Sequence, residues 1–326
     1  MFKERKMFNQ TKEFMMSCFG DMKRRSGEPM YVHSLELAYL LKAQGYDIRY
    51  QIVALLHDVL EDTDTTIDDI ETALPFVDDD IKQGIYSCMK FEKETDQSML
   101  DRASTNKYGL IIKPCDRYQN AITIWQDMNS QEFISGFFEK TLNIYIPWIE
   151  KNCSDSPFLA PLVIQLRKLW VMMIPKAKDW CIEKCGQENI DKLYDQGKYS
   201  LIDSRQERAD YIRYTWNHKL AFLECERRFL GRNTIRGYLH DVDKLIMYFT
   251  PIKLKTAQKI HNKISRHHNR ARNYYDHRNM VIDFACARMT KLDKPLDAKE
   301  TVDVYYGGTK DKFIPILKEW NINHEK

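Results

Sequence analysis

The sequence has 326 residues and a net charge of +3, with 43% hydrophobic and 30% charged residues. This composition is typical of a globular protein of about two domains, and the low content of glycine and proline excludes collagen-like and linker-like chains. No stretch approaches the roughly 18 apolar residues of a membrane span, the N-terminus lacks the apolar segment of a signal peptide, and the cysteines show no disulfide framework, so we expect a cytoplasmic protein without membrane contact.

Apolar residues recur at helical spacing through the first half of the chain, and turn residues separate the repeats. The pattern predicts helices over 2–22, 31–44, 50–60, 66–74, 81–91, 98–108 and 109–127. Pro114 falls inside the last of these and must lie near a helix start or at a kink. Two or three further helices are expected over 131–195, with breaks at Pro147, Pro157, Pro161 and Pro175.

The second half of the chain is also predicted to be helical. The expected helices lie over 207–230, 233–249, 253–277 and 278–290, with a short tail helix over 311–320. No segment shows the alternation of apolar and polar residues that is typical of a strand. We therefore predict an all-α fold for the whole chain.

The charge is divided unevenly between the two halves. Residues 1–195 carry 24 Lys and Arg against 31 Asp and Glu, a net charge of −7, whereas residues 196–326 carry 26 against 16, a net charge of +10. A polar stretch that contains Gly197 separates them. We therefore predict one domain over 1–195 and a smaller, basic domain over 196–326, for which an anionic ligand is one interpretation.

Four residues of the first domain stand out as candidate metal ligands, namely His33, His57, Asp58 and Asp116. Imidazole and carboxylate groups without thiolates suit Mn, Fe, Zn or Ni. The adjacent pair of His57 and Asp58 follows a strongly apolar run, and so does Asp116. Polar groups at such positions are costly to bury unless they are paired or coordinated.

A second acidic pair, Glu61 and Asp62, follows the first pair by one helical turn. On a helix these carboxylates would share the face of His57 and Asp58, where they could deprotonate or orient a water on a metal. Taken alone, each pair is more often a solvated or capping group. The residues by themselves therefore leave both interpretations open.

Four separated segments give the first domain a resemblance to a known family. They are Arg-Arg-Ser-Gly-Glu-Pro over 24–29, Tyr-Val-His over 31–33, Leu-Leu-His-Asp-Val-Leu-Glu-Asp-Thr over 55–63, and Ile-Ile-Lys-Pro-Cys-Asp-Arg-Tyr-Gln-Asn over 111–120. In order and spacing they resemble the HD hydrolase domain of RelA/SpoT enzymes, over about residues 8–195. The resemblance implies a helical bundle around one metal ion, usually Mn²⁺, and removal of the 3′-pyrophosphate from the alarmones ppGpp and pppGpp.

The resemblance also implies roles for individual residues. It implies that the metal is bound by His33, His57, Asp58 and Asp116. It also implies that Glu61 and Asp62 activate or orient the attacking water. It further implies four contacts to the nucleotide. Arg24 would stack on the base, Arg25 and Ser26 would face the phosphates and the sugar, and Asn120 would also contact the nucleotide. Lys90 matches a lysine of the family, although it could equally be a solvated helix residue, and Lys113 could be structural.

Several positions beside these motifs depart from the family pattern. Arg25 replaces a lysine, Pro114 and Cys115 replace Leu-Ala, Tyr118 replaces a leucine, and Gln119 stands where histidine is common. All expected ligands and both acidic residues are present, so we expect activity, while these changes leave the substrate open. Nothing after residue 125 resembles the synthetase domain of the family, which predicts a hydrolase without the opposing activity.

The second domain holds another histidine and aspartate pattern. His218, His240, Asp241 and Asp283 repeat the ligand order of the first domain, with His261, His267 and His268 between them. The segment also resembles a poorly characterised family of HD-like domains of bacteria and phages. We predict a second metal site at the first four residues. A basic surface for the phosphates of a nucleotide or nucleic acid, or a purely structural role, remains an alternative.

Three functional hypotheses follow. The first is a metal-dependent nucleotide phosphohydrolase that uses Mn²⁺ or another divalent ion and acts on guanosine-3′,5′-bis(diphosphate). The second keeps the mechanism but takes NADPH or another 2′- or 3′-phosphorylated nucleotide. The third is a non-catalytic nucleotide sensor whose basic C-terminal domain binds nucleic acid or a protein.

Overall fold

The computed structural model describes residues 2–25, 27–124, 129–153, 188, 208–268, 271–290 and 298–322. All regular structure in these ranges is helical, apart from an isolated bridge between Lys23 and Pro29. The all-α prediction is therefore confirmed. The chain divides into two compact units, Met1–Leu201 and Ile202–Lys326, and the predicted boundary near residue 195 lies outside the described residues.

The described part of the first unit contains ten α-helices and one π-helical segment. They are α1 (Phe2–Phe19), α2 (Tyr31–Ala43), α3 (Ile48–Leu56), α4 (Val59–Asp62), α5 (Ile67–Ala73), α6 (Asp79–Cys88), α7 (Asp96–Ser104), α8 (Lys107–Thr123), α9 (Gln131–Lys140), the π-helical segment Thr141–Tyr145, and α10 (Ile146–Cys153). Side-chain caps fix several of the starts. Asp47 accepts from two amides at the start of α3, and Thr66 and Asp69 form a reciprocal capping box at the start of α5.

Helix α3 lies at the centre of the first unit. Its residues 52–56 are fully buried, and it packs against α1, α2, α6 and α8. The predicted single helix over 50–60 is wrong, because α3 ends at Leu56 and α4 begins at Val59. His57 and Asp58 form the turn between the two helices. The apolar run therefore delivers this pair directly to the interior.

Two prolines of the first unit lie within helical structure. Pro114 lies in the middle of α8 and leaves the carbonyl of Leu110 without its helical amide donor, and that carbonyl accepts from the Cys153 thiol at 3.9 Å. The predicted break at Pro147 is wrong, because α9, the π-helical segment and α10 continue through it. The longer π-helical spacing precedes this proline and accommodates it. The other predicted breaks, at Pro157, Pro161 and Pro175, lie outside the described residues.

The second unit contains seven α-helices in its described ranges. They are α11 (Arg208–Leu230), α12 (Ile235–Leu239), α13 (Val242–Tyr248), α14 (Leu254–Ile264), α15 (Tyr274–Ala287), α16 (Ala298–Tyr305) and α17 (Ile314–Glu319), and a 3₁₀ helix at Gly307–Lys312 precedes the last. Helix α11 packs against α12, α13 and α15, and α13 packs against α14. In neither unit is any described helix long and apolar enough to cross a bilayer.

Three predicted helices of the second unit need correction. The helix over 233–249 is interrupted at Asp241, whose φ of 57° lies in the left-handed region that ends a helix. The helix over 253–277 ends at Ile264, and α15 begins separately because the Asn273 side chain accepts from the amide of Asp276. The tail begins as the 3₁₀ helix, and α16 was not predicted. Periodicity alone did not reveal these local hydrogen bonds.

Candidate metal centres

The four predicted ligands of the first unit lie together. Helix α2 supplies His33, the turn after α3 supplies His57 and Asp58, and α8 supplies Asp116. His33 Nε2 is 3.0 Å from Asp116 Oδ1, and His57 Nε2 is 3.0 Å from Asp58 Oδ1. The two cross distances, from His33 to Asp58 and from His57 to Asp116, are both 3.9 Å. Two imidazoles thus alternate with two carboxylates around one point.

The hydrogen bonds of His57 fix which nitrogen faces this point. Its Nδ1 lies 2.8 Å from the carbonyl oxygen of Ala54, which can only accept, so Nδ1 carries the proton. In the neutral ring, Nε2 then presents a lone pair to the two carboxylates. Nε2 is buried and makes no hydrogen bond to any described residue. A lone pair that faces anionic oxygens fits a bound cation, and this donor set suits a divalent transition metal.

The charges around the site respond to this crowding. Burial by itself would lower the pKa of His57, but the negative charges of Asp58 and Asp116 raise it well above its ordinary value. Burial by itself would raise the pKa of Asp116, but the charge of Lys113 and the two imidazoles hold it well below its usual range. Without a metal ion, a proton on the His57 imidazole can neutralise the carboxylates. A bound metal ion would replace this proton as the positive charge at the site.

Lys113 belongs to the site, although the sequence left its role undecided. Its Nζ is buried and lies 2.7 Å from Asp116 Oδ2. The other oxygen of Asp116 faces His33 and accepts from Asn120 Nδ2 at 2.6 Å. Asp116 is therefore held from three directions. The spacing of three residues between the lysine and the aspartate on α8 was the signal in the sequence.

Glu61 and Asp62 lie at the end of α4, where both side chains reach solvent although the surrounding protein partly desolvates Asp62. Glu61 Oε2 accepts from the backbone amide of Lys90 at 3.0 Å, which orients this carboxylate. Partial burial and the charges of Asp58 and Glu61 raise the pKa of Asp62 to about 6. The Lys90 side chain is ion-paired with Asp96, so its described partner lies away from the four ligands.

Of the four predicted nucleotide contacts, three are described. Arg24 Nη2 donates to Asn120 Oδ1 at 3.3 Å and to Thr123 Oγ1 at 3.0 Å, which links Arg24 to the metal ligands through Asn120. Arg25 Nη1 donates to Asn129 Oδ1 at 2.8 Å. Its guanidinium also lies over the ring of Phe133, 5.3 Å from the centroid. Ser26 lies outside the described residues. Sequence reasoning did not single out Thr123, Asn129 or Phe133.

Four of the five positions that depart from the family pattern are buried in the first unit, whereas the fifth, Arg25, is exposed. Cys115, Tyr118 and Gln119 are fully buried. The side-chain amide of Gln119 makes no hydrogen bond among the described residues. These buried substitutions therefore alter the packing behind Asp116. They do not place new side chains on an exposed surface.

The four predicted ligands of the second unit also lie together. His218 comes from α11, His240 and Asp241 form the turn between α12 and α13, and Asp283 comes from α15. Asp283 Oδ1 is 2.8 Å from His218 Nε2 and 3.4 Å from His240 Nε2, and His240 Nε2 is 3.8 Å from Asp241 Oδ1. Burial would raise the pKa of Asp283, but the hydrogen bond from His218 and the neighbouring imidazoles lower it well below its ordinary value.

Three further histidines and one aspartate extend this second cluster. His261 Nε2 and His267 Nε2 lie 3.2 and 3.3 Å from Asp241 Oδ1, and His261 Nδ1 lies 2.7 Å from Asp243 Oδ2. The rings of His267 and His268 are 4.5 Å apart. Both of these histidines lie in the turn after α14.

Comparison with known proteins supports the relationship of the chain to the RelA/SpoT family. No family model matches. The chain is 31% identical to a guanosine-3′,5′-bis(diphosphate) 3′-pyrophosphohydrolase of Aquifex aeolicus over 234 residues, which cover 66% of the chain and 32% of that protein. It is 29% identical to a GTP pyrophosphokinase of Myxococcus xanthus over 154 residues, which cover 41% of the chain and 20% of that protein.

A third relative is a probable guanosine-3′,5′-bis(diphosphate) 3′-pyrophosphohydrolase of Synechocystis, 28% identical over 142 residues, which cover 41% of the chain and 18% of that protein. The chain thus matches about a third or less of the length of these relatives. All three bear the names of enzymes. Their names divide between a hydrolase and a pyrophosphokinase, so the direction of the chemistry must be argued from the site.

Proposed function

We propose that the first unit is a divalent-metal-dependent hydrolase that removes the 3′-pyrophosphate of guanosine-3′,5′-bis(diphosphate), with Mn²⁺ as its metal. The observation that carries this proposal is the lone pair of His57 Nε2, buried and turned towards Asp58 and Asp116. His33 completes a set of two imidazoles and two carboxylates, which a transition-metal ion would satisfy. The choice of substrate comes from the names of the two hydrolases among the relatives.

The acidic pair favours hydrolysis over pyrophosphate transfer. Hydrolysis needs a water that loses its proton, and a divalent ion in this site would lower the pKa of such a water and polarise a phosphoryl oxygen. Asp62, whose pKa is about 6, can accept a proton near neutral pH. Glu61, held by the amide of Lys90, can orient the water.

The nucleotide would lie between the metal ligands and the two arginines. Arg24 is tied through Asn120 to Asp116, so a base stacked on its guanidinium would have a fixed position relative to the metal. Arg25 is exposed and offers a charged donor to phosphate. The argument for NADPH as substrate relied on positions 114, 115 and 119, and the interior location of these residues weakens it.

Product analysis tests this proposal. Metal-stripped protein is incubated with ppGpp and, separately, with NADPH, each with and without Mn²⁺, and the products are separated by ion exchange. We expect GDP and pyrophosphate from ppGpp only when Mn²⁺ is added. Phosphate release from NADPH alone would replace the proposed substrate, and nucleotide binding without any turnover would favour the sensor.

The variant Asp62→Asn separates the proposed chemistry from simple binding. Removal of a general base typically lowers the rate by about 100- to 10,000-fold, and we expect a loss in this range in kcat with ppGpp. Asp64→Asn is the matched control, since Asp64 is an exposed carboxylate two residues further along. Full activity in Asp62→Asn would contradict the assignment of the base.

A further inference from the structure

The second cluster contains more candidate ligands than one metal ion can use. Its eight members are His218, His240, Asp241, Asp243, His261, His267, His268 and Asp283. They form overlapping groups of three, in each of which the candidate ligand atoms lie within 4.8 Å of one another. Structural zinc takes four protein ligands, and the other first-row metals take at most about six. The candidate ligands of the cluster therefore have to be divided between more than one role or more than one ion.

Asp241 lies where the groups overlap. Its Oδ1 is 3.8 Å from His240 Nε2 and 3.2 and 3.3 Å from His261 Nε2 and His267 Nε2, and the ring centroids of His240 and His267 are 4.3 Å apart. Two ligands each bonded to one ion at about 2.1 Å lie about 3–4 Å apart. The three imidazoles therefore all lie at the distance from Asp241 that ligands of a shared ion have.

The backbone and a lysine hold Asp241 in this central position. Its φ of 57° is unusual for a residue other than glycine, and such conformations concentrate at functional sites. Lys244 Nζ lies 2.8 Å from Asp241 Oδ2. Oδ2 is therefore neutralised, while Oδ1 faces the imidazoles.

His261 has the hydrogen bonding of a metal ligand. Its Nδ1 is 2.7 Å from Asp243 Oδ2, and a carboxylate oxygen accepts, so Nδ1 carries the proton. In the neutral ring, Nε2 then presents its lone pair to Asp241 Oδ1, an arrangement that a metal cation between them would satisfy. A carboxylate that orients the second nitrogen of a histidine is typical of metal sites. Asp243 is thus a positioning residue and His261 is a ligand.

Several polar atoms of the cluster are unpaired. His240 Nε2, Asp241 Oδ1, His261 Nε2 and His268 Nε2 are buried and make no hydrogen bond among the described residues. His240 and Asp241 are each 2% exposed, and His261 is fully buried. Buried polar atoms are normally paired, so those left over here indicate a ligand. One ion at His218, His240 and Asp283 would leave His261 unsatisfied.

We propose that the second unit binds two divalent transition-metal ions that share Asp241. The first ion is held by His218, His240 and Asp283, and the second by His261 and His267. Imidazoles with carboxylates favour Mn, Fe or Zn over Mg or Ca. A pair of such ions is suited to hydrolysis of a phosphate ester, because one ion can activate water while the other binds the phosphoryl oxygen. This inference does not rest on the function proposed for the first unit.

Metal counting on the full chain tests the proposal. The double variant H57A/D58N removes two ligands of the first unit, so that the metal it retains belongs to the second. After loading with Mn²⁺ and gel filtration, we expect two ions per chain by elemental analysis. We also expect the electron paramagnetic resonance signal of an exchange-coupled Mn²⁺ pair.

Further substitutions in this background locate each ion. His261→Ala and His218→Ala should each lower the content from two ions to one and abolish the coupled signal. His277→Ala is the control, because His277 is a buried histidine of α15 whose Nδ1 donates to the Asn273 carbonyl, and it should retain two ions. Circular dichroism checks that each variant is folded. A content of one ion that His261→Ala leaves unchanged, or no bound ion, would overturn the proposal.

Discussion

The two units present the same arrangement of ligands in different surroundings. In each, an earlier helix supplies a histidine, a His-Asp turn between two short helices supplies a pair, and a later helix supplies an aspartate. One helical turn after the first pair come Glu61 and Asp62, whereas the corresponding residues after His240 and Asp241 are Lys244 and Leu245. The first unit thus adds two carboxylates, to which we assign the attacking water. The second adds further imidazoles.

The placement of lysine also differs between the two units. Lys113 pairs with Asp116, which comes from the later helix, and leaves Asp58 of the turn facing the histidines. Lys244 pairs with Asp241 of the turn itself. Under the two proposals, a His-Asp turn defines a location for metal, while the residues around the turn decide how many ions fit there and whether a base is available.

The largest expected effect comes from exchanging one aspartate in each turn. Asp58→Asn removes a ligand of the first site and should lower alarmone hydrolysis at least about 1,000-fold, since metal-derived charge stabilisation is worth several kcal/mol. It should leave the metal content of the second unit unchanged. Asp241→Asn should lower the metal content of the second unit and leave alarmone hydrolysis unchanged. Rates with ppGpp and metal content are measured on both variants, and loss of hydrolysis in Asp241→Asn would show that the two sites are coupled.

The acidic pair makes the first site sensitive to pH. The pKa of Asp62 is raised to about 6, so its carboxylate is protonated below that pH and cannot accept a proton. We expect kcat to rise between about pH 5 and 7, and Asp62→Asn to remove this rise together with most of the rate. If kcat rises over the same pH range in the parent protein and in Asp62→Asn, the titrating group is a residue other than Asp62.

Substitution of Lys113 and of Lys244 tests how much each lysine-aspartate ion pair stabilises its unit. Lys113 is buried, and its removal in Lys113→Met leaves Asp116 without its partner, which should lower the free energy of unfolding by roughly 3–5 kcal/mol. Lys244→Met is the counterpart in the second unit. Urea unfolding with and without Mn²⁺ measures both, and we expect the metal to recover part of the loss because it binds the freed carboxylates.

The sequence predicted the fold class and the residues that come together, but not the geometry between them. Apolar runs end at His57 and at Asp116, so burial of these runs brings the polar residues inward. The left-handed turn at Asp241 and the cap at Asn273 depend on single hydrogen bonds and one φ angle, which periodicity does not report. Lys113 was left undecided, although Asp116 lies three residues further along the helix predicted over 109–127, because spacing alone does not show which way a lysine side chain turns.

The smallest expected effect concerns a charge cluster of the first unit that has no part in either site. Asp80 accepts from Tyr108 Oη at 2.6 Å and pairs with Lys107 and Arg49, and these contacts lower its pKa to about 2. Because the folded pKa lies below the ordinary value near 3.8, the stabilisation is present above about pH 4 and is lost as the pH falls towards 2.

Asp80 is 45% exposed, so solvent screens these pairs, and Asp80→Asn should lower the free energy of unfolding by about 1 kcal/mol or less near neutral pH. The difference between this variant and the parent protein should shrink to nothing near pH 2. Urea unfolding at pH 7, 4 and 2 measures it. Because the cluster lies outside the metal ligands, the Mn²⁺ content of Asp80→Asn should match that of the parent protein at every pH where both are folded. A loss of metal would mean that this surface cluster also positions α8, and with it Asp116.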